Sequence, residues 1–475
     1  MPTMKRITKM ILVAMLLVIL FTNTAFAQPV TTSENEQFMF FQNVKEFITN
    51  NYKEDVSEVQ LLEAALAQIL KQNPEVLEQA MEGMFNSLDQ HSTFYNQHQY
   101  QQFTSAVEGQ YGGIGIVISK RDGYVTIMST MDNTPGKRAG LRAEDKIVYV
   151  NELDITGYDT NMAVSLMRGD PGTIVELGIK RPGEEEILYV KIVREIIKVN
   201  PLTYEVLEGN IGYIRISDFN ANTDEYMRKV LREFDMQQIE KIIVDVRSNP
   251  GGSLDQVIKV AQRFVPEGPI VHIEYKQDEK ETIFGTLPTA PYELVVLINT
   301  GSASASEILA GAIQDRGVGK VVGVPSFGKG TVQQLLPLRI GGAIKMTIAN
   351  YLTPNGDKIE GKGIIPNLMV ENVTKAINTD ELEPVEILRR PTIGDRGKDV
   401  LAAKQRLHIL GYDVGQVNEE LDEKTFNAIK SFQAEQKLYP YGVLDFTTQG
   451  AIDNAIKALE VEVDMQLQKA IELLR

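Results

Sequence analysis

The 475-residue sequence contains no cysteine. Disulfides, thiolate-bound zinc, iron–sulfur clusters and a thiol nucleophile are therefore excluded. Histidine is scarce: His91, His98, His272 and His408 are scattered, with no pair at metal-ligand spacing on one helix. Metal chemistry and histidine-based triads start with little support, and neither a metal nor a cofactor is expected. Positive charge is in deficit, 48 Lys and Arg against 64 Asp and Glu, for a net charge of −16. That balance argues against phosphate backbones or anionic lipid as main partners, so no nucleic-acid partner is expected. Long apolar runs are also missing, with one exception at the start of the chain.

There, Lys5, Arg6 and Lys9 precede an apolar run over residues 10–21, followed by Ala25-Phe26-Ala27. This is the n-region, h-region and A-x-A site of a secretory signal peptide. The run is shorter than the ~20 residues a spanning helix needs, so cleavage is favoured over a retained anchor. The mature chain is expected to begin near Gln28, exported and extracytoplasmic, wall-associated or secreted.

What is present is ordinary globular composition, 43% hydrophobic and 24% charged, in a chain long enough for about three domains. Phe38, Phe41, Val44 and Phe47, then Leu61, Leu62, Ala65 and Ile69, recur at helical spacing until Asn73-Pro74 breaks the pattern. From about residue 107 to 197 short β-branched runs take over (115–119, 124–128, 146–150, 174–180, 187–193), predicting a small β-rich domain. From 200 to about 373, apolar runs at 242–246 and 294–298 alternate with amphipathic helices, the mark of an α/β layer with parallel strands. An acidic, Pro-bearing linker follows over 378–391. In the last module Leu421-Asp422-x-x-Thr425 recurs as Leu444-Asp445-x-x-Thr448, implying two helices each capped by Asp. Residues 456–474 are predicted to form one amphipathic helix, docked either on a partner or on its own protein.

Chemistry concentrates in the α/β layer. Asn299-Thr300-Gly301-Ser302-Ala303-Ser304-Ala305-Ser306-Glu307 lies between an apolar strand and a helix. A serine in a first helical turn has free N–H groups and the positive dipole end beside it, suited to an oxyanion; plain helix capping is the competing reading. Arg247-Ser248-Asn249-Pro250-Gly251-Gly252 ends a second strand, and the two turns are expected side by side in the crevice where open α/β sheets bind ligands. Phe327-Gly328-Lys329-Gly330-Thr331-Val332-Gln333-Gln334 leads to a hairpin at Ile340-Gly341-Gly342; read as a strand, it puts Lys329 and Gln333 on one face. The P-loop spacing is absent. A serine needs a base, and a lysine serves only when neutral, which burial away from carboxylates promotes. Gln333 would orient the amine without adding charge. The pieces fit a Ser/Lys hydrolase.

With G-S-A-S-A-S-E, F-G-K-G-T-V-Q and R-x-N-P-G-G in place, the chain resembles the carboxyl-terminal processing proteases, Ser/Lys peptidases, from about residue 34 to 366. The resemblance implies a crotonase/ClpP-like α/β protease core with an inserted PDZ domain, and catalytic Ser304, Lys329 and Gln333, since the family's 25- and 29-residue spacings select Ser304 over Ser302 and Ser306. It implies oxyanion donors at the N–H of Ala305 and of Gly251 or Gly252, Gly251 preferred. Leu88-Asp89-Gln90-His91-Ser92 is similar to the family's segment before the insert, with Gln90 where Pro is usual. In the insert, which resembles a PDZ domain, Gly113, Ile114, Gly115 and Ile116 stand in place of the carboxylate-binding loop, and Arg168 ends the expected groove helix, as a sensor of bound carboxylate, as a coupler of the insert to the protease, or as a solvated surface residue. The tail, with Leu407, Leu410 and Phe432 as core, resembles a small helical peptidoglycan-binding domain.

The resulting division is signal peptide 1–27, helical region 28–105, PDZ domain 106–197, protease core 198–377, linker 378–392, peptidoglycan-binding-like domain 393–455 and C-terminal helix 456–475. The expected function is an exported serine endopeptidase that recognises free C-termini of proteins or peptides, with peptidoglycan as a further partner and a homodimer as the assembly. A non-catalytic, wall-associated scaffold is the alternative, and acyl-CoA chemistry a third reading that rests on fold analogy alone.

Overall fold

The computed structural model describes residues 34–339 and 341–475; the signal segment lies outside them. Two compact units result, divided after Leu88. The first holds helices Glu34–Asn51, Glu58–Gln72 and Leu77–Asn86, with a single 3₁₀ turn at Pro74–Val76 where the Asn-Pro break was expected. Ser57 and Gln60 form a capping box on the second helix. The apolar stripe of the first helix, Phe38, Phe41, Val44 and Phe47, is exposed. No helix among the described residues is long and apolar enough to cross a membrane.

The second unit opens with Asp89, a short strand β1 (Thr93–Tyr95) and helix Gln97–Glu108. The β-rich insert follows. Strand β2 (Gln110–Gly113) leads into β3 (Ile116–Arg121), β4 (Tyr124–Thr130), β5 (Lys146–Val150), β6 (Leu153–Asp154), β7 (Ile174–Lys180) and β8 (Leu188–Val193), and β9 (Glu195–Lys198) returns to pair with β2. The sheet order β3-β4-β5-β7-β8 leaves β3 on an edge, beside helix Thr160–Met167.

In the core, β10 (Leu202–Leu207) pairs antiparallel with β11 (Ile211–Ile216); β12 (Lys241–Asp245) then runs parallel to β11. A second layer begins with β13 (Gly268–Tyr275) and β14 (Lys280–Gly285). The central sheet resumes with β15 (Glu293–Ile298) beside β12 and β16 (Gly319–Gly323) beside β15. Strands β17 (Thr331–Pro337) and β18 (Ala343–Leu352) complete the second layer, β19 (Leu368–Met369) closes the central sheet, and β20 (Val373–Ala376) leads out of the core. The central strands are buried on both faces, which explains their unbroken apolar runs. Ile242, Val244, Val296 and Ile298 face helices Thr223–Met236, Leu254–Ala261 and Ala305–Asp315, whereas Ile211, Ile243, Val295, Leu297 and Val322 face the opposite way.

Helices Lys398–Ile409, Glu423–Glu435 and Phe446–Ala458 form the small C-terminal module, whose core includes Leu407 and Phe432. Asp422 and Asp445 cap the last two by accepting the N–H of Thr425 and Thr448, as the internal echo predicts. The expected single helix over 456–474 is corrected. Its first residues finish the preceding helix, and Glu460–Val463 then forms β21, antiparallel to β20. The Glu-Val-Glu-Val alternation has the period of a strand, not of a helix. Helix Met465–Leu474 starts afresh and lays Ala470 and Leu474 on the second face of the central sheet. It docks on its own protein.

Candidate active site

Strands β12 and β15 are parallel neighbours, so the turns that follow them meet. Asn299 Oδ1 accepts the Ser248 N–H at 2.7 Å, and Ala303 N–H donates to Asn249 O at 3.0 Å. Three serines follow in the second turn. Ser302 and Ser306 are fully buried, and their hydroxyls donate to Val246 O (2.8 Å) and Asn249 O (2.9 Å). The Ser304 hydroxyl donates to no acceptor among the described residues. Ser304 sits at φ 54°, ψ −111°, immediately before helix Ala305–Asp315. A non-glycine residue held there is strained, and such strain persists only when the surroundings fix it.

The fixing group is Glu307, fully buried. Its Oε2 accepts the N–H of Ser304 (2.7 Å) and of Lys329 (2.9 Å); its Oε1 accepts the N–H of Gly328 (2.6 Å) and the Ser326 hydroxyl (2.6 Å). One carboxylate thus binds the serine turn to the lysine loop with four charge-assisted hydrogen bonds. Glu307 closes the G-S-A-S-A-S-E motif, whose spacing alone assigns it no task. The available signal was the S-x-x-E capping box at the helix start.

Gly251 lies against the serine. A Cβ placed on it would stand 2.8 Å from Ser304 Cβ and 3.0 Å from Ala305 N, at a φ of +108°, so only glycine fits. Its N–H, however, donates to Asn249 Oδ1 at 2.8 Å. This corrects the preference for Gly251 as a donor in the present geometry: the short Asn side chain closes an Asx turn on that N–H. The N–H groups of Gly252 and Ala305 have no acceptor among the described residues.

Lys329 is not in a strand. It belongs to the loop before β17, so alternation does not relate it to Gln333, a second correction. Glycines 328 and 330 are needed because the 359–363 segment passes close by: a Cβ at Gly330 would meet Glu360 N at 2.3 Å. Burial pushes the Lys329 amine below its usual range, and the like charge of Lys345 adds to this; Glu360 and Glu307 oppose it. The expected pocket free of carboxylates is therefore replaced by one in which burial outweighs two of them. Gln333 donates through Nε2 to Thr331 Oγ1 (2.7 Å) and, at 3.5 Å, to Thr347 Oγ1. No hydrogen bond joins Ser304, Lys329 and Gln333 side chains among the described residues.

In the insert, Gly115 has φ +72°, and its missing Cβ would collide with Thr134 at 2.3 Å. The carbonyls of Ile114 and Gly115 accept N–H groups of Gly136 and Met131, while the Ile114 and Gly115 N–H groups have no acceptor among the described residues. Gly113 ends β2 and Ile116 begins edge strand β3, placing the loop at the head of an open edge. Arg168, just past helix Thr160–Met167, stacks over the Tyr111 ring at 4.3 Å.

Comparison with known proteins agrees with these modules. Residues 210–370 match the model of peptidase family S41, 112–192 that of the PDZ domain and 396–452 that of a peptidoglycan binding domain. The chain is 34% identical over 437 residues to carboxy-terminal processing protease CtpB of Bacillus subtilis, covering 90% of this chain and 87% of the relative. It is 36% identical over 355 residues to the carboxy-terminal-processing protease of Bartonella bacilliformis, covering 73% and 78%. Among solved structures it is similar to a photosystem II D1 C-terminal processing protease, with 25% identity over 72% of this chain and 94% of the other and a TM-score of 0.42.

Proposed function

The chain belongs to the carboxy-terminal processing protease family of serine-type peptidases, and from that premise we propose that Ser304 is its nucleophile, Lys329 its general base and Gln333 the residue that orients the lysine. One observation carries this reading: of the three serines in the turn, two spend their hydroxyls on backbone carbonyls and Ser304 does not. Ser304 Oγ attacks the scissile carbonyl while its proton passes to neutral Lys329 Nζ. The lysine returns that proton to the leaving amine, and water then repeats the sequence on the acyl-enzyme. Ala305 N–H and a glycine N–H of the 249–252 turn stabilise the oxyanion: Gly252 as the turn stands, or Gly251 once its N–H leaves Asn249.

The PDZ domain receives a C-terminal carboxylate on the 113–116 loop, the peptide adding along β3. Arg168 senses that carboxylate. The three side chains share no hydrogen bond among the described residues; on this reading that arrangement is a resting form, and a bound tail favours an aligned one by binding it more tightly. Export through the N-terminal segment, peptidoglycan as a ligand of the 396–452 module and self-association through the exposed Phe38–Phe47 stripe complete the proposal.

The test is incubation of mature protein with an unfolded exported protein. Wild type should digest it and Ser304→Ala should leave it intact; indistinguishable patterns would favour the non-catalytic scaffold.

A further inference from the structure

Asp89 and Ser92, in the segment before the PDZ domain, touch the protease layer at one point. Strand β18 pairs on that edge with β1 at residues 343–345 and with β13 at 349–352, leaving Thr347 between them. Ser92 Oγ accepts the Thr347 N–H at 3.0 Å, and the Thr347 hydroxyl donates to Asp89 Oδ1 at 3.1 Å. Asp89 in turn accepts the N–H groups of His91 and Ser92 and the Ser92 hydroxyl at 2.7–3.0 Å. Although partial burial acts to raise the Asp89 carboxyl pKa, these bonds together hold it below the usual range, so it is an ionised, acceptor-only group.

On its other side Thr347 faces Gln333 in register across β17 and β18, next to an irregularity in the ladder. Its N–H points away toward Ser92, so the two residues form a non-hydrogen-bonded pair, the kind that brings side chains closest. An acceptor-only carboxylate compels the Thr347 hydroxyl to donate to it. The oxygen lone pairs are then left for Gln333 Nε2, whose second N–H goes to Thr331. With both amide protons so directed, Gln333 Oε1 is the end of the amide left to accept, which is what an amine needs from its partner.

We infer that Asp89 and Thr347 are positioning residues for catalysis, setting the orientation of the Gln333 amide through the relay Asp89–Thr347–Gln333. The inference rests on the Ser304/Lys329/Gln333 reading. It also gives the Asp89–Ser92 segment a task beyond joining two elements.

The experiment is a double-mutant cycle on the full mature protein, with steady-state cleavage of an unfolded protein substrate as readout. Thr347→Val should lower kcat about tenfold with KM unchanged and shift the pH dependence of kcat. Thr347→Ser, which keeps the hydroxyl, should restore most of the loss. In the Gln333→Ala background, Thr347→Val should cost nothing further. Asp89→Ala, carried through the same cycle, serves if Thr347→Val does not fold. Equal losses in both backgrounds, or wild-type kcat in Thr347→Val, overturn the relay. Ser304→Ala is measured alongside: activity retained there overturns the parent reading, whereas additive losses beside an inactive Ser304→Ala overturn the relay alone.

Discussion

Arg247 Nη1 lies 2.7 Å from Asp464 Oδ1, a contact between residues 217 positions apart in the chain. The same guanidinium binds Asp245, whose Oδ2 also accepts the Tyr213 hydroxyl. Arg247 opens the turn that ends at Gly252, so the strap made of β21 and helix Met465–Leu474 braces one wall of the candidate active site. The C-terminal module leaves the core after β20 and returns through β21, making it an insertion rather than an appendage.

Asp464→Asn should therefore destabilise the protein by roughly 1–2 kcal/mol at neutral pH, allowing for the partial exposure of Asp464. Burial acts to raise the Asp464 carboxyl pKa, but the bonds from Arg247 and the Leu467 N–H outweigh it and hold it below the usual range. The contribution is thus present above the unfolded value, near ~3.9, and is lost as pH falls through the folded one. Chemical unfolding of wild type and variant should show the gap closing in acid.

Replacing Glu307 by Gln leaves one oxygen for two pairs of donors, so one pair faces an NH₂ group. A destabilisation of roughly 2–5 kcal/mol is expected from the unpaired N–H groups. The folded fraction should lose activity, because Ser304 and Lys329 are no longer held by one group. Thermal melting and a serine-reactive probe read the two effects separately.

Activity should rise with pH along a limb set by Lys329, with its midpoint below the ordinary lysine value near ~10.4. Lys345→Met removes a like charge and should move the midpoint up; Glu360→Gln removes an opposite charge and should move it down. The unfolded chain holds the Lys329 proton more tightly, so this group's contribution makes stability increase with pH between the two values. Lys329→Met should melt higher than wild type at neutral pH. A profile of kcat/KM against pH and a melt of each variant check these signs.

Gly251→Ala forces a methyl group to within 3.0 Å of Ser304 Cβ, Ala303 O and Ala305 N. A fall in kcat of roughly 10²-fold is expected, comparable to loss of one oxyanion donor, with PDZ affinity for a peptide C-terminus unchanged. Single-turnover acylation and peptide titration separate the two.

Much of this was legible in the chain. The runs at 146–150 and 174–180 coincide with β5 and β7 because alternation and turn residues act locally. The Asp caps followed from their own repeats. The acceptor of the Gly251 N–H was not legible, since the choice of Asn249 Oδ1 is made by a side-chain rotamer. The environment of Lys329 was not legible either, because Lys345 reaches it from β18 and Glu360 from the 359–363 turn.

Sequence by itself determined which residues are candidates for the chemistry and where most of the strands and helices lie, since spacing, periodicity and capping are decided among near neighbours. Tertiary structure alone decided that Glu307 joins two loops, that Thr347 meets both Asp89 and Gln333, and that the last helix covers the central sheet. Each of those contacts joins residues from different elements, and their energies exist only once β12 has paired with β15 in one sheet and β17 with β18 in the other.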